Sequence, residues 1–272
     1  MIKRIHYITG MPRAGSTLLC NVLCQNPEFY ASGTSPVSNL MRTMMATWSA
    51  APAVKNQIDA EKELYFERFK RVAKGIIENW YSVRDENVIF DKCRAWTANW
   101  VTLKTIVDRP KLIVVVRDLR DIVASVVSRS DETNLFVDDL PLTVDGKVTK
   151  ILEPDGIAGG PVGTLFDLNL RGVLKSDSVF VWKYEDFCTN PTGVIQSLYE
   201  FLDEPNFKHD FTNVKKAHNE DDSVWCYTYP HNGTGKVCPP VTDYWRKALP
   251  ENMASNIWER HKWYFEAFGY ER

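Results

Sequence analysis

The sequence has no uninterrupted apolar stretch of about 18 residues, the least a membrane-crossing helix needs, and no excess of either charge. Its 33 Lys and Arg stand against 35 Asp and Glu, a formal net charge of −2. That balance gives no electrostatic footprint for nucleic acid or an anionic membrane, so any anion site has to be built locally. The apolar run in the first residues is cut short at Gly10 and Pro12, too early for a secretory signal, and a cytoplasmic protein is expected. Six cysteines in 272 residues include no Cys-x-x-Cys pair and make no disulfide framework. Cys20 and Cys24, four residues apart, read as buried thiols of a helix, and Cys226 and Cys238 would pair only in an oxidising setting. Without a secretory signal, Asn232-Gly233-Thr234 is a chance glycosylation triplet. There is no internal repeat and no low-complexity tract.

What is present suits a globular α/β chain. With 44% hydrophobic and 25% charged residues, the chain has enough apolar surface for a full core, and we expect one domain over residues 1–272. Short β-branched or aromatic runs at Ile5–Thr9, Phe29–Ala31, Val88–Phe90, Lys111–Val116 and Val179–Trp182 read as strands. Lys111–Val116 is continuous and apolar, as a strand covered on both faces must be, and it belongs in the middle of a parallel sheet. Helical spacing recurs over Thr17–Leu23, Ser38–Trp48, Ala60–Tyr81, Trp96–Val107, Asp118–Ser128 and Glu251–Phe268. Strands alternating with helices predict a phosphate-loop-type three-layer fold, a central parallel sheet flanked by helices. The stretch 130–163, with Pro141, Pro154 and Pro161, breaks the rhythm and reads as an inserted flap; Asp145-Gly146 suggests a type I′ hairpin within it. The flap reads equally as a functional lid and as a solvated surface loop.

Gly10-Met11-Pro12-Arg13-Ala14-Gly15-Ser16-Thr17 has the G-x-x-x-x-G spacing of a phosphate loop, set between a strand and a helix. There, backbone N–H groups and the helix dipole hold an oxyanion. Ser16 follows Gly15, where a nucleotide triphosphatase needs the Lys that reaches its β- and γ-phosphates. The cation has moved to Arg13. Such a loop suits a terminal group with less charge than a γ-phosphate, and a sulfuryl group carries one negative charge fewer. Its transfer can be stabilised by fixed cations without a metal.

Pro12-Arg13-Ala14-Gly15-Ser16-Thr17 resembles the 5′-phosphosulfate loop of the sulfotransferases that use 3′-phosphoadenosine 5′-phosphosulfate (PAPS), whose usual pattern is Pro, Arg or Lys, Ser, Gly, Thr, Thr. Ala14 and Ser16 depart from it mildly. After the central strand, Arg117 and, eight residues on, Ser125 resemble the family's 3′-phosphate site. Val181-Trp182-Lys183-Tyr184-Glu185-Asp186-Phe187 is similar to a segment of tyrosylprotein sulfotransferases and related bacterial enzymes, in which the Tyr helps to hold the nucleotide. Lys92 looks like the Lys those enzymes keep near the bridging oxygen. Gly233 to Pro240 resembles the basic loop that closes over their cofactor, with Lys236 its basic residue.

The resemblance implies that the loop amides with Ser16 and Thr17 bind the 5′-phosphosulfate, that Arg13 and Lys92 are catalytic, and that Arg117, Ser125, Tyr184 and Lys236 bind the rest of the cofactor. PAPS, leaving as 3′-phosphoadenosine 5′-phosphate (PAP), is the implied cofactor, with no metal, no nucleic acid and a small molecule or peptide as acceptor. Arg94 and Arg129 are further cations within reach of these motifs. The base is missing from the pattern. Thr34 stands where tyrosylprotein sulfotransferases carry a Glu, and a hydroxyl is no base at neutral pH. Asp91 is the nearest carboxylate, and His6, His209, His218, His231 and His261 match no motif. Trp225, Tyr227, Tyr229 and the acidic Asp138, Asp139 and Asp145 read as acceptor-pocket residues or as core packing and solvated surface. A phosphate-loop small-molecule kinase is the rival reading, and an inactive nucleotide-binding protein a third.

Overall fold

The computed structural model describes residues 3–133, 143–220, 233–241 and 243–272. Its sheet has five parallel strands: β1 (Arg4–Gly10), β2 (Phe29–Ala31), β3 (Val88–Lys92), β4 (Leu112–Val116) and β5 (Val179–Lys183), in the order β2-β3-β1-β4-β5. All five residues of β3 and of β4 are buried, which explains why their sequences are runs and not alternations. The chain fills one side of β1 with β3, then crosses to β4 on the other side. The reversal leaves a crevice beyond the carboxyl ends of β1 and β4, where open α/β sheets bind ligands.

Helices cover both faces. α1 (Ser16–Leu23) leads out of the loop after β1, and α2 (Val37–Ala50) and α3 (Pro52–Trp80) fill the long β2–β3 connection. α3 begins on a proline, whose fixed φ suits a first helical position, and bends at Glu61 (φ −141°, ψ 54°). α4 (Trp100–Ile106) and α5 (Leu119–Thr133) flank β4 in sequence, and α6 (Val144–Leu152), α7 (Gly159–Leu170), α8 (Tyr184–Thr189), α9 (Pro191–Leu202), α10 (Glu251–Arg260) and α11 (Lys262–Phe268) complete the layers.

The expected hairpin at Asp145-Gly146 is corrected: Val144–Leu152 is helix α6. Thr143 caps it, its side chain accepting from Gly146 N at 3.2 Å. Val148 and Ile151 then fall on one buried side. A capped amphipathic turn outweighs the turn preference of Asp-Gly when an apolar stripe can be buried. Two further expectations shorten. The helix expected over Trp96–Val107 becomes a 3₁₀ turn at Arg94–Trp96 followed by α4, and the last helix divides at His261 (φ −119°, ψ 28°). Asp138, Asp139, Trp225, Cys226, Tyr227, Tyr229 and His231 lie outside the described residues. Cys20 is a buried free thiol, Cys24 a half-buried one and Cys238 an exposed one.

Candidate active site

The turn after β1 is pressed against β4. Gly10 (φ 124°) is the residue of closest approach, since a methyl group there would stand 2.1 Å from Val115 O. Met11 N donates to that same carbonyl at 2.8 Å. Arg13 (φ 56°) and Gly15 (φ 88°) also take left-handed backbone. Alternating hand turns successive N–H groups toward one concavity, the geometry of an anion nest. No side chain caps the start of α1, where Gly15 is the capping residue. A side chain at 15 would meet Tyr184 Cδ2 at 2.8 Å and Trp182 Cη2 at 3.3 Å, so glycine is required by both space and φ.

The two stretches singled out in the sequence, 104 residues apart, meet here. Arg13 Nε donates to Ser125 Oγ at 3.2 Å, from the phosphate loop to the second turn of α5. Arg117 Nη1 donates to the Arg13 carbonyl at 3.3 Å and its Nη2 pairs with Asp121 at 3.4 Å. The guanidinium lies 4.8 Å from the centre of the Tyr184 ring and 5.7 Å from that of Tyr244, while Tyr184 itself packs over Gly15. Arg117 Nε is buried with no hydrogen-bond partner among the described residues. A buried donor of this kind calls for an acceptor, and the left-handed turn of Arg13 and Gly15 lies beside it. The residues present therefore fit a doubly anionic nucleotide.

Burial pushes the Asp121 carboxyl up to about 6 against the pull of Arg117, and its Oδ1 accepts from Trp245 N at 2.9 Å. Burial also pushes the Tyr184 hydroxyl up to about 12. Tyr264 OH donates to the Arg117 carbonyl at 2.8 Å and fixes the residue from its backbone side. Sequence reasoning named Arg117 and Tyr184 but missed Asp121 and Tyr244. Asp121 was signalled by its i, i+4 spacing from Arg117; Tyr244 arrives from a 3₁₀ turn, Tyr244–Lys247, with no local signature.

At the end of β3, Lys92 is buried and its Nζ donates to Thr17 Oγ1 at 3.4 Å, so a second cation reaches the phosphate loop. Asp91, its neighbour, points the other way and is fully committed. Trp96 Nε1 donates to Oδ1 at 2.7 Å, and Tyr81 OH and Ser35 OH donate to Oδ2 at 2.8 Å each. Burial raises its pKa even so. Asp91 fastens the end of the sheet to α3 and to the 3₁₀ turn at Arg94–Trp96.

The segment before Lys236 lies on α1: a methyl group on Gly233 would stand 2.8 Å from Leu18 N and 3.2 Å from the Thr17 carbonyl carbon. Asn21 Nδ2 donates to Gly233 O at 2.9 Å, and Asn21 Oδ1 accepts from Ala217 N at 3.0 Å. Gly235 exchanges backbone hydrogen bonds with Val214. The Lys236 side chain is exposed and makes no hydrogen bond or ion pair among the described residues. Pro12 and Ala14 are buried parts of the turn, Ser16 and Thr17 are half-buried on its helical side, and Arg129 is half-buried farther along α5. Among the described residues no group of three or more His, Cys, Asp or Glu is arranged to hold a metal ion. A cavity of about 470 Å³ lined by Lys3, His6, Arg109 and Lys111 opens at the amino-terminal edge of the sheet, opposite this chemistry.

Fold and site together define a nucleotide-binding α/β protein whose phosphate loop carries an arginine in place of the usual lysine. The sequence matches the profile of the sulfotransferase family over residues 7–209, most of the chain, and the protein belongs to that family. No curated protein matches it. Among solved structures, the sulfotransferase domain of the Synechococcus PCC 7002 olefin synthase is similar at a TM-score of 0.57 and 16% identity, covering 99% of this chain and 97% of that one. The sulfotransferase domain of the curacin biosynthetic pathway gives 0.52 and 15%, covering 100% and 99%. Mouse sulfotransferase SULT7A1, complexed with PAP, gives 0.53 and 12%, covering 95% and 82%. At these identities the likeness is one of fold. Among the described residues no helix is long and apolar enough to cross a membrane.

Proposed function

We propose that the protein, as one domain over residues 1–272, binds PAPS across the carboxyl ends of β1 and β4 and transfers its sulfuryl group to a hydroxyl or amine acceptor. The observation that carries this reading is the convergence of Arg13, Ser125 and Arg117 at the mouth of the phosphate loop. Each of the two anionic ends of one nucleotide then has its own cationic receptor, a few ångströms apart. The loop amides with the Ser16 and Thr17 hydroxyls hold the 5′-phosphosulfate. Arg117 and Ser125 take the 3′-phosphate, with Tyr184 bracing both.

The bond from sulfur to the bridging oxygen breaks as the bond from sulfur to the acceptor forms. The electron pair left on the bridging oxygen is stabilised by Lys92, and charge on the sulfuryl oxygens by Arg13. Both cations are held before substrate arrives, by Thr17 and by Ser125. Stabilisation of this kind needs no reorganisation at the moment of transfer.

A kinase of the same fold would require a Lys after Gly15 and magnesium; this chain has Ser16 there. Thermal unfolding with PAP and with magnesium-ATP separates the two. At 100 times its Kd, a ligand raises stability by about 2.7 kcal/mol. A rise with PAP alone supports the reading, and a rise with magnesium-ATP alone refutes it.

A further inference from the structure

A cation selects one phosphate over another only if its backbone is held, because a small rotation at Cα is magnified along a side chain as long as that of arginine. β4 ends at Val116 and α5 begins at Leu119, so Arg117 and Asp118 form a two-residue link outside both strand and helix. The peptide group between them is the pivot of that link. In a trans peptide the carbonyl oxygen and the N–H point opposite ways, and here each is claimed by a side chain from elsewhere in the chain. Tyr264 OH donates to Arg117 O at 2.8 Å, and Asp118 N donates to Glu185 Oε1 at 3.0 Å. The peptide is gripped at both ends, which fixes its rotation. The Asp118 carboxylate is spent on the helix that follows, accepting from Arg120 N at 2.8 Å and pairing with the Arg120 guanidinium at 2.7 Å.

The two grips are also joined to each other. Glu185 Oε2 accepts from Tyr270 OH at 3.0 Å, and the Tyr270 ring lies parallel to that of Tyr264, 2° between planes and 6.2 Å between centroids. α11 ends at Gly269, whose left-handed backbone (φ 65°) turns Tyr270 back so that its N–H donates to Phe265 O at 2.8 Å. Lys183 Nζ holds this turn, donating to Gly269 O at 3.1 Å and lying 4.1 Å from the centre of the Tyr270 ring. Tyr264, Tyr270, Glu185 and the 117–118 peptide thus close a ring of contacts behind Arg117. Glu185 stands in the first turn of α8, one residue after Tyr184, whose ring lies 4.8 Å from the Arg117 guanidinium. One short stretch supplies both the ring beside the guanidinium and the carboxylate behind its backbone.

We infer that Glu185, closed on by Tyr264 and Tyr270, is the positioning residue for Arg117: it holds the peptide that aims the guanidinium, and so sets the preference for a nucleotide with a 3′-phosphate over one without. The inference rests on the sulfotransferase reading above, in which Arg117 takes that phosphate. Both Glu185 oxygens are engaged by protein donors, and the residue acts on the ligand only through Arg117.

The test is calorimetric titration of the full chain with PAP and with adenosine 5′-phosphosulfate, which lacks the 3′-phosphate. Glu185→Ala frees one end of the peptide and should weaken PAP by about 5- to 30-fold, while adenosine 5′-phosphosulfate binds within about twofold of wild type. Glutamine keeps an oxygen for Asp118 N, so Glu185→Gln should restore PAP affinity to within about twofold. In a protein already carrying Arg117→Ala, Glu185→Ala should cost PAP nothing more, since the residue it positions is gone. Unchanged PAP affinity in Glu185→Ala, equal loss for the two ligands, or a full further loss on top of Arg117→Ala overturns the assignment. Should Glu185→Ala melt too low to titrate, Tyr270→Phe removes one hydroxyl from the same ring and should weaken PAP alone, by about threefold; equal affinity for PAP in that variant and wild type overturns the assignment as well. If the unaltered protein does not bind PAP, or Arg117→Ala binds it as wild type does, the sulfotransferase reading of the site itself falls, an outcome that the titrations without any change at Glu185 report separately.

Discussion

Arg117→Ala removes a cation whose structural and ligand-binding roles can be told apart. The side chain is 15% exposed, donates to the Arg13 carbonyl at 3.3 Å, pairs with Asp121 and lies against two aromatic rings, yet its Nε has no partner among the described residues. If the missing partner is the 3′-phosphate, the variant forfeits a charged hydrogen bond of about 1.5–3 kcal/mol, or about 10- to 150-fold in Kd for PAP. Adenosine 5′-phosphosulfate keeps the 5′ end and lacks the 3′-phosphate. It should bind wild type and variant within about threefold of each other. Calorimetric titration of both proteins with both ligands forms a cycle that isolates the one contact. Equal loss for the two ligands would mean that Arg117 only props the loop through Arg13, and the 3′-phosphate assignment would be refuted. Some loss of thermal stability is expected whatever the ligand, because Asp121 is left buried without its cation.

Gly15→Ala places a side chain at φ 88° against the Tyr184 ring, at a cost of about 1–2 kcal/mol for the backbone alone; thermal melts should show the loss, and PAP titration a weakened site. Asp121→Asn probes a carboxyl held at about 6 instead of its ordinary 3.8. The folded state binds that proton more tightly, so the wild type loses stability as pH rises from about 4 to about 6, on the order of 3 kcal/mol in all. The Asn variant's relative stability should climb across that window and then level, and a flat difference in denaturant melts from pH 4 to 7 would contradict the shift. His209 shows the opposite sign, its pKa lowered by burial from 6.5 to about 4. Its contribution is present above pH 6.5 and lost as pH falls toward 4. His209→Phe should flatten that part of the acid-denaturation profile.

The five strands were legible because each is short, β-branched or aromatic and, in β3 and β4, buried on both faces. The phosphate loop was legible because backbone hand and close approach demand glycine at 10 and 15 whatever the ligand. Arg117 and Ser125 were paired through the resemblance to the 3′-phosphate site, and in the structure each meets Arg13 of the phosphate loop. Asp145-Gly146 misled because its turn preference is local, whereas the stripe that buries Val148 and Ile151 takes its value from distant partners. Tyr244 could not be found from spacing, because it arrives beside Arg117 on a connection whose path is set by tertiary contacts. Asp91, the nearest carboxylate in sequence, accepts three hydrogen bonds that its position after β3 did not announce.

Asn21 binds the backbone of Ala217 with one end of its amide and that of Gly233 with the other, from a helix whose first turn borders the anion nest. The stretches around Ala217 and Gly233 are thereby hung from a single peg, and any shift of that helix would be passed to both at once.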